Sequence, residues 1–444
     1  MINRFNIYKS HYKNNITLAL PVMLAQAGQM VVVLADNFMV GQLGATQLAA
    51  VALANNIFLI GMMFGIGLVS GLTPLAGKAY GSNNRKEAAN WFKQSMITFP
   101  ILVFIQALIM SLITLGIPYM NQPADVVELA IPYYLILVIS LIPFQFFFIF
   151  KQYAEALGNT RISMIITLSA NIINIVLNYI LIYGKAGFDK YEILGAGYAT
   201  LISRTIMPVA FTFLFFKLQF FKQERKYWKH ILFNFKKSFQ LIKVGIPIGG
   251  QYIIEVVTFS LTGIMMGWIG SKELAAHQIV MSIVSFTYMI SAGLAAATTV
   301  KVSHFSGSND KKEMTKSVYA SLHMIVLFMT ISLTTFLSLR FKLPALFIPD
   351  EQVVVIAAGL MLVGGIFQLF DGIQVIVLGA LRGLEDTKKP MIMLIIAYFV
   401  FAIPVSYIAG FVFNLGPQGI WLGLLAGLLM VGIQLLARFR WLVK

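Results

Sequence analysis

The chain has 444 residues, of which 59% are apolar and only 11% are charged. Because ordinary soluble domains carry roughly a quarter charged residues, this composition excludes a soluble globular protein. The 33 Lys and Arg residues outnumber the 17 Asp and Glu residues, giving a formal net charge of +16. The chain has no cysteine, which excludes disulfides and thiolate metal sites.

Apolar runs of about 20 residues recur along the whole chain, as expected for helices that span a bilayer. The alternating pattern of a membrane β-barrel does not occur. We therefore predict an all-α integral membrane protein. Polar breaks separate twelve predicted spans, at 16–40, 47–72, 91–115, 130–152, 161–183, 194–216, 241–268, 276–300, 317–338, 352–380, 390–412 and 418–441.

The basic residues are distributed unequally between the two sides of the membrane. With a cytoplasmic N-terminus, the segment 217–243 alone places eight Lys or Arg inside, whereas the opposite side has only five in all. The positive-inside rule therefore predicts an inner (plasma) membrane protein with both termini in the cytoplasm. It also explains the net charge without a nucleic-acid partner.

The sequence repeats itself with a shift of 226 residues. This shift aligns Pro21 with Pro247, MVGQLGATQLAA (39–50) with MMGWIGSKELAA (265–276), and GSNNRKE (81–87) with GSNDKKE (307–313). Each half holds six spans, so both halves run the same way through the membrane, as parallel repeats do. We predict pseudo-symmetric lobes at 1–216 and 241–444, with a cavity between them. The basic linker 217–240 is expected to lie on the inner leaflet.

Three carboxylates lie deep in predicted spans: Asp36 in the first, Glu255 in the seventh and Asp371 in the tenth. Each ionisable group at such a depth costs a few kcal/mol on insertion scales. One interpretation is that each acid is protonated and hydrogen-bonds a neighbouring helix. The other is that the acids bind cations reversibly, so that one cation must leave when another binds, as in a coupled exchanger.

Polar neighbours favour two separate cation sites. On the fifth span, Asn171, Asn174 and Asn178 share one helix face, and Thr200 lies on the sixth. Hard cations prefer such oxygen ligands, so this stripe could complete a sodium site with Asp36, although an Asn ladder that packs helices is an alternative. In the second half, Glu255 and Asp371 are an alternative sodium site. Their neighbours along the chain are Gln251, Gln368 and Gln374.

The segments LPVMLAQAGQMVVVLADNFMVGQLG, EALGNTR and FQLFDG, the paired Gly-Ser-Asn loops and Glu255 resemble the multidrug and toxic compound extrusion (MATE) family, NorM type. The resemblance implies a V-shaped pair of six-helix lobes and export of cationic, often aromatic compounds by antiport with sodium ions or protons. It also implies an ion site at Asp36, Asn174 and Asn178. Some relatives have Asp where Asn178 stands.

Two other functions agree less well with the sequence. A lipid-linked saccharide flippase of the same superfamily handles anionic pyrophosphates, so its cavity should be lined by Arg and Lys rather than by acids. An intramembrane hydrolase needs motifs that the sequence lacks, and without a nucleotide-binding loop the chain is no self-contained ATP-driven pump. We therefore expect a non-enzymatic, monomeric exporter of organic cations with no cofactor besides its coupling ion.

Overall fold

The computed structural model describes residues 2–228 and 231–444. Twelve helices of this part of the chain are long and apolar enough to cross a membrane, which confirms the predicted fold class. They comprise Ile7–Gly41, Ala45–Gly81, Arg85–Leu115, Ala124–Ala156, Arg161–Tyr183, Glu192–Lys217, Phe235–Ile269, Ser271–Gly307, Lys311–Leu339, Glu351–Gly383, Lys388–Val412 and Gly416–Val443.

We number the helices in chain order. They are α1 (Ile2–Gly41), α2 (Ala45–Ser70), α3 (Leu72–Gly81), α4 (Arg85–Leu112), α5 (Ala124–Ala156), α6 (Arg161–Tyr183), α7 (Glu192–Lys217), α8 (Lys222–Trp228), α9 (Phe235–Ile269), α10 (Ser271–Gly307), α11 (Lys311–Leu339), α12 (Lys342–Ala345), α13 (Glu351–Gly383), α14 (Lys388–Ile395), α15 (Ile403–Tyr407) and α16 (Gly416–Val443). Wider π-helical turns, Ile396–Ala402 and Ile408–Val412, flank α15.

The internal repeat is visible in how helices begin. Asn84 accepts a hydrogen bond from the backbone N–H of Glu87 at 3.0 Å and caps α4, and Asp310 caps α11 through Glu313 at the same distance. In each case the preceding asparagine has a positive φ, 57° at Asn83 and 58° at Asn309. Asn tolerates this left-handed conformation better than most residues. The shared Gly-Ser-Asn sequence therefore encodes the same turn and cap twice.

The chain forms two compact units. The N-terminal unit is Leu24–Gly249, and the C-terminal unit joins Gly250–Lys444 to the N-terminal segment that ends at Met23. The units thus differ from the predicted lobes, which follow chain order. The N-terminal part of α1 belongs to the C-terminal unit, and the N-terminal part of α9 belongs to the N-terminal unit, so the two helix ends are exchanged. The exchange points, Met23 and Gly249, lie 226 residues apart, so the exchange itself obeys the repeat.

Polar contacts hold each exchanged helix end in its unit. In the C-terminal unit, Asn15 of α1 donates to Ser321 Oγ of α11 at 2.9 Å, and His11 Nε2 lies 3.0 Å from a carboxylate oxygen of Glu313. In the N-terminal unit, Lys237 of α9 contacts both carboxylate oxygens of Glu87 at 2.6 and 2.7 Å. Under the repeat, His11 corresponds to Lys237 and Glu313 to Glu87.

The predicted linker 217–240 includes positions 229 and 230, which lie outside the described residues. Its described part contains α8, and its last residues from Phe235 onward already belong to α9. Lys93 of α4 donates to the backbone carbonyls of Trp228 and Ile231 at 2.8 and 2.7 Å, so the segment is bound to the N-terminal unit. Leu232, Phe233 and Phe235 are exposed, in keeping with a membrane-surface segment.

Close packing of α10 against α13, the helix that carries Asp371, depends on glycine. A Cβ atom on Gly379 of α13 would lie only 2.6 Å from the carbonyl oxygen of Ala295 on α10. No side chain fits there without moving one backbone away from the other. A Cβ atom on Gly432 of α16 would meet no other described residue within 4 Å, so this glycine offers a matched comparison.

We expect Gly379→Ala to destabilise the protein by about 1–3 kcal/mol, the usual range for overpacking a filled interior. Gly432→Ala should be neutral or stabilise its helix by up to about 1 kcal/mol, because alanine is the better helix former. Thermal unfolding of the two variants in detergent measures the difference. Equal melting temperatures for both variants would contradict the assigned α10–α13 contact.

Candidate functional site

The N-terminal unit brings Asp36 together with the predicted polar residues of the fifth and sixth spans. Asn178 of α6 donates from Nδ2 to Asp36 Oδ1 of α1 and, at 3.2 Å, to Asn174 Oδ1. Asn174 in turn donates to Thr200 Oγ1 of α7 at 3.5 Å. All four residues therefore form one cluster built from three helices. The structure adds Ser203, which accepts from Asn174 at 3.4 Å.

One oxygen of this cluster has unused bonding capacity. The Oδ1 atom of Asn178 is buried and has no hydrogen-bond partner among the described residues. An unpaired buried oxygen is rare because it loses its hydration without compensation. Beside the carboxylate of Asp36, it is the kind of ligand that a hard cation accepts. These oxygen atoms thus suit a sodium ion or a proton that is bound as transported cargo.

Arg204 supplies a positive charge to the same cluster. Its guanidinium donates to Ser140 Oγ of α5 at 2.8 Å and lies 4.8 Å from the ring centroid of Phe144. It also interacts electrostatically with Asp36. The two residues are 168 positions apart along the chain, so no local sequence pattern connects them.

The C-terminal unit brings the other two acids within electrostatic range of each other, Glu255 from α9 and Asp371 from α13. Gln374 donates to Glu255 Oε1 at 3.0 Å, and the hydroxyl of Tyr398 donates to Gln374 Oε1 at 2.8 Å. Asp371 and Gln374 are both buried. Tyr288 of α10 also interacts with both acids. Two carboxylates and two phenols therefore share one buried region.

The two remaining predicted glutamines make other contacts. Gln251 donates to the backbone carbonyl of Thr387 at 3.0 Å and accepts from Arg382, one helical turn before Glu255. Gln368 bonds instead to Thr287 of α10 at 2.7 Å and to Ser332 of α11 at 2.9 Å. Gln251 thus lies at the edge of the acidic region, whereas the amide of Gln368 ties three helices together through hydroxyls.

Arg382 lies two residues beyond the predicted tenth span, 352–380, and was therefore not expected beside the acids. It is the penultimate residue of α13 and interacts electrostatically with Glu255. Its position contained a usable signal, because it follows Asp371 by eleven residues, which is three turns of an α-helix. Arg382 therefore lies on the same stripe of α13 as Asp371. Tyr288, Tyr398 and Ser203 carried no comparable signal among the many Tyr and Ser residues.

The described residues contain no group of three or more His, Cys, Asp or Glu side chains placed to hold a metal ion.

Twelve spanning helices with a buried charged cluster in each of two repeated units define a membrane transporter. The MatE family model matches residues 21–180 and 247–408, two segments that begin 226 residues apart. The chain therefore belongs to the MatE family of transporters, and it is not an enzyme. This confirms the family resemblance found in the sequence and excludes the intramembrane hydrolase.

Relatives match nearly the whole chain. The multidrug resistance protein NorM of Photobacterium profundum is 31% identical over 452 residues, covering 98% of this chain and 96% of the relative. The probable multidrug resistance protein NorM of Rhizobium meliloti is 30% identical over 456 residues, covering 99% and 95%.

Solved structures of MATE transporters share the fold. That of the Vibrio cholerae transporter VcmN, in a mutant form, has a TM-score of 0.87 at 16% identity, covering 98% of this chain and 97% of the other. The eukaryotic transporter AtDTX14 has a TM-score of 0.86 at 19% identity, covering 97% and 96%.

We expect Asp36 and Arg204 to stabilise each other. Asp36→Asn leaves a guanidinium without its counter-charge, so the variant should lose about 1–3 kcal/mol of unfolding free energy, at the lower end of the range for buried pairs since Arg204 is half-buried. Arg204→Gln should cost a similar amount, and the double variant less than the sum of the two. Thermal unfolding of the four proteins in a double-mutant cycle measures this coupling. Strictly additive losses would show that the two side chains act independently.

Proposed function

We propose that the protein is a secondary active multidrug efflux transporter, which exports organic cations in exchange for sodium ions or protons. The observation that carries the proposal is the pair of carboxylates Glu255 and Asp371, which lie within electrostatic range of each other in one unit. Only a cation relieves the mutual repulsion of two ionised acids, and a second cation competes with the first for the same charge. The names of the NorM relatives support multidrug substrates.

The aromatic surroundings favour organic over inorganic cargo in the C-terminal unit. Tyr288 and Tyr398 adjoin both acids, and Phe259 packs against Phe367 with ring centroids 6.1 Å apart. Faces of such rings attract delocalised cations. We infer that flat aromatic cations bind here. The cluster of Asp36, Asn174 and Asn178, with its free amide oxygen, suits a small inorganic cation such as sodium, or a proton.

The flippase remains the weaker candidate. A pyrophosphate group needs uncompensated positive charge, and two arginines of the spanning helices, Arg204 and Arg382, each already interact with an acid. A MOP superfamily transporter from Pyrococcus furiosus with a TM-score of 0.86 has a solved structure whose description speaks of reverse polarity of the binding pocket. At 20% identity that likeness concerns the fold alone.

Transport by purified protein in liposomes tests the proposal directly. When a gradient of either sodium ions or protons is directed into the liposomes, ethidium should move outward. The gradient that drives this movement identifies the coupling ion. Asp36→Asn, Glu255→Gln and Asp371→Asn should each reduce transport at least tenfold, because each removes a charge that the exchange uses. Glu128→Gln, a change at an exposed acid, is the control and should transport normally. Transport of no cation under either gradient would overturn the proposal and favour the flippase.

We also propose that the protein is a monomer in the inner (plasma) membrane with both termini in the cytoplasm. Because the chain has no native cysteine, a single introduced cysteine reports its side unambiguously. In intact cells, a membrane-impermeant maleimide should label Lys185→Cys but label Lys312→Cys only after permeabilisation. Both positions are exposed. The reverse labelling pattern would show that both termini lie outside the cytoplasm.

A further inference from the structure

Arg382 is held at a fixed place beside the acidic pair of the C-terminal unit. Its Nε donates to Gln251 Oε1 at 2.9 Å, and one terminal nitrogen donates to the Tyr252 hydroxyl at 3.2 Å. The guanidinium carbon lies 4.8 Å from the centroid of the Tyr252 ring. Both partners belong to α9, and Gln251 lies one turn before Glu255. The guanidinium is thus bound to the helix that carries Glu255.

A second contact fixes this arrangement from the other side. The amide of Gln251 that accepts from Arg382 also donates to the backbone carbonyl of Thr387, which directly precedes α14. The guanidinium is therefore positioned by neutral groups near Glu255, and its position does not depend on a direct bond to the carboxylate. In this arrangement it weakens the field of Glu255 without occupying the place of a bound cation.

The charges of the region are unequal. Glu255 interacts with both Arg382 and Asp371, whereas the charge that acts on Asp371 is that of Glu255. The guanidinium therefore acts on one of the two carboxylates, and it does not lose its proton in proteins. Whichever protons or cations the acids exchange, Arg382 stays charged and opposes a cation at Glu255.

We propose that Arg382 is a built-in competitor, a tethered cation that lowers the affinity of Glu255 for the exported cation and so permits its release. This inference rests on the proposed cation transport and deepens it. A conducting or transporting site must bind its cargo strongly enough to capture it and weakly enough to let it go. Arg382 need not touch the cargo, because its positive charge acts across space and offsets part of the attraction of Glu255.

Equilibrium binding of ethidium to the purified full-length protein tests this role. Removing the charge with Arg382→Gln should tighten binding by about three- to tenfold, the order expected for a nearby unit charge at an effective dielectric constant near 20. Arg382→Lys keeps the charge and should bind within about twofold of the parent. The control is Arg438→Gln in the same unit, where the arginine pairs with Asp386 at 2.8 Å. It should leave ethidium binding unchanged.

Transport kinetics separate this role from a merely structural one. Arg382→Gln should lower both KM and kcat in liposomes, since tighter binding slows release. In a Glu255→Gln background, the same change should still tighten the ethidium binding that remains, because the guanidinium repels the cation directly and the two charge effects add. Tyr252→Phe is a second variant, and its expected effect on ethidium binding is the opposite one. It removes the hydroxyl that restrains the guanidinium, so ethidium should bind more weakly.

Three results would overturn the inference while leaving cation transport intact: unchanged or weaker ethidium binding by Arg382→Gln, equal tightening by Arg382→Lys and Arg382→Gln, or tighter binding by Tyr252→Phe. A different result would remove the proposed function itself. If the parent protein neither binds nor transports ethidium, there is no exported cation for Arg382 to compete with, and both proposals are withdrawn.

Discussion

The cost of placing charge in a membrane interior governs the chemistry of this protein. Each buried carboxylate must be neutralised by protonation, by a fixed counter-charge or by a mobile cation. The described structure provides one guanidinium for Asp36 and one for the pair Glu255 and Asp371. The amides of Asn178 and Gln374 donate to the carboxylates themselves. The charge left over in the C-terminal unit is what makes it suited to a mobile cation.

The two units share a scaffold but not a charge distribution. The 226-residue repeat reproduces the helix caps at Asn84 and Asp310, and even the points where helix ends are exchanged. Under the same shift, however, Glu255 corresponds to Gln29 and Asp36 to Thr262. Duplication therefore explains the fold, whereas later substitution at a few positions created two chemically different clusters. A scaffold that tolerates this divergence allows coupling ion and cargo to use separate sites.

The sequence was sufficient for the spans, the repeat and the three acids, because these are local or periodic properties of the chain. The twelve predicted spans coincide with the observed helices, apart from ends that extend beyond the apolar core. The cluster of Asp36, Asn174, Asn178 and Thr200 could be anticipated because hydrophobic helices carry few polar side chains, and those few tend to meet. Its assignment as an ion site remains a prediction.

What the sequence could not provide was the pairing of distant charges. Arg204 acts electrostatically on Asp36, and Arg382 on Glu255, across more than 100 positions, and no periodic pattern encodes which helix faces which. Gln368 shows the same limit of sequence proximity. It shares a stretch of α13 with Asp371, yet its amide bonds to Thr287 and Ser332 on neighbouring helices. Three residues correspond to about 300° around a helix, close enough to suggest a shared site but far enough to reach different neighbours.

The difference in charge balance between the units has a consequence for coupling. In the N-terminal unit, one acid meets one guanidinium, so the cluster is neutral when Asp36 is ionised, and a cation binds there only through the oxygens that Arg204 leaves available. In the C-terminal unit, a second acid lies within electrostatic range of Glu255, and one guanidinium acts on Glu255. Electrostatics alone therefore ranks the C-terminal cluster above the N-terminal one for a bulky organic cation, since such a cation cannot gain compact oxygen coordination and depends on net charge and aromatic faces.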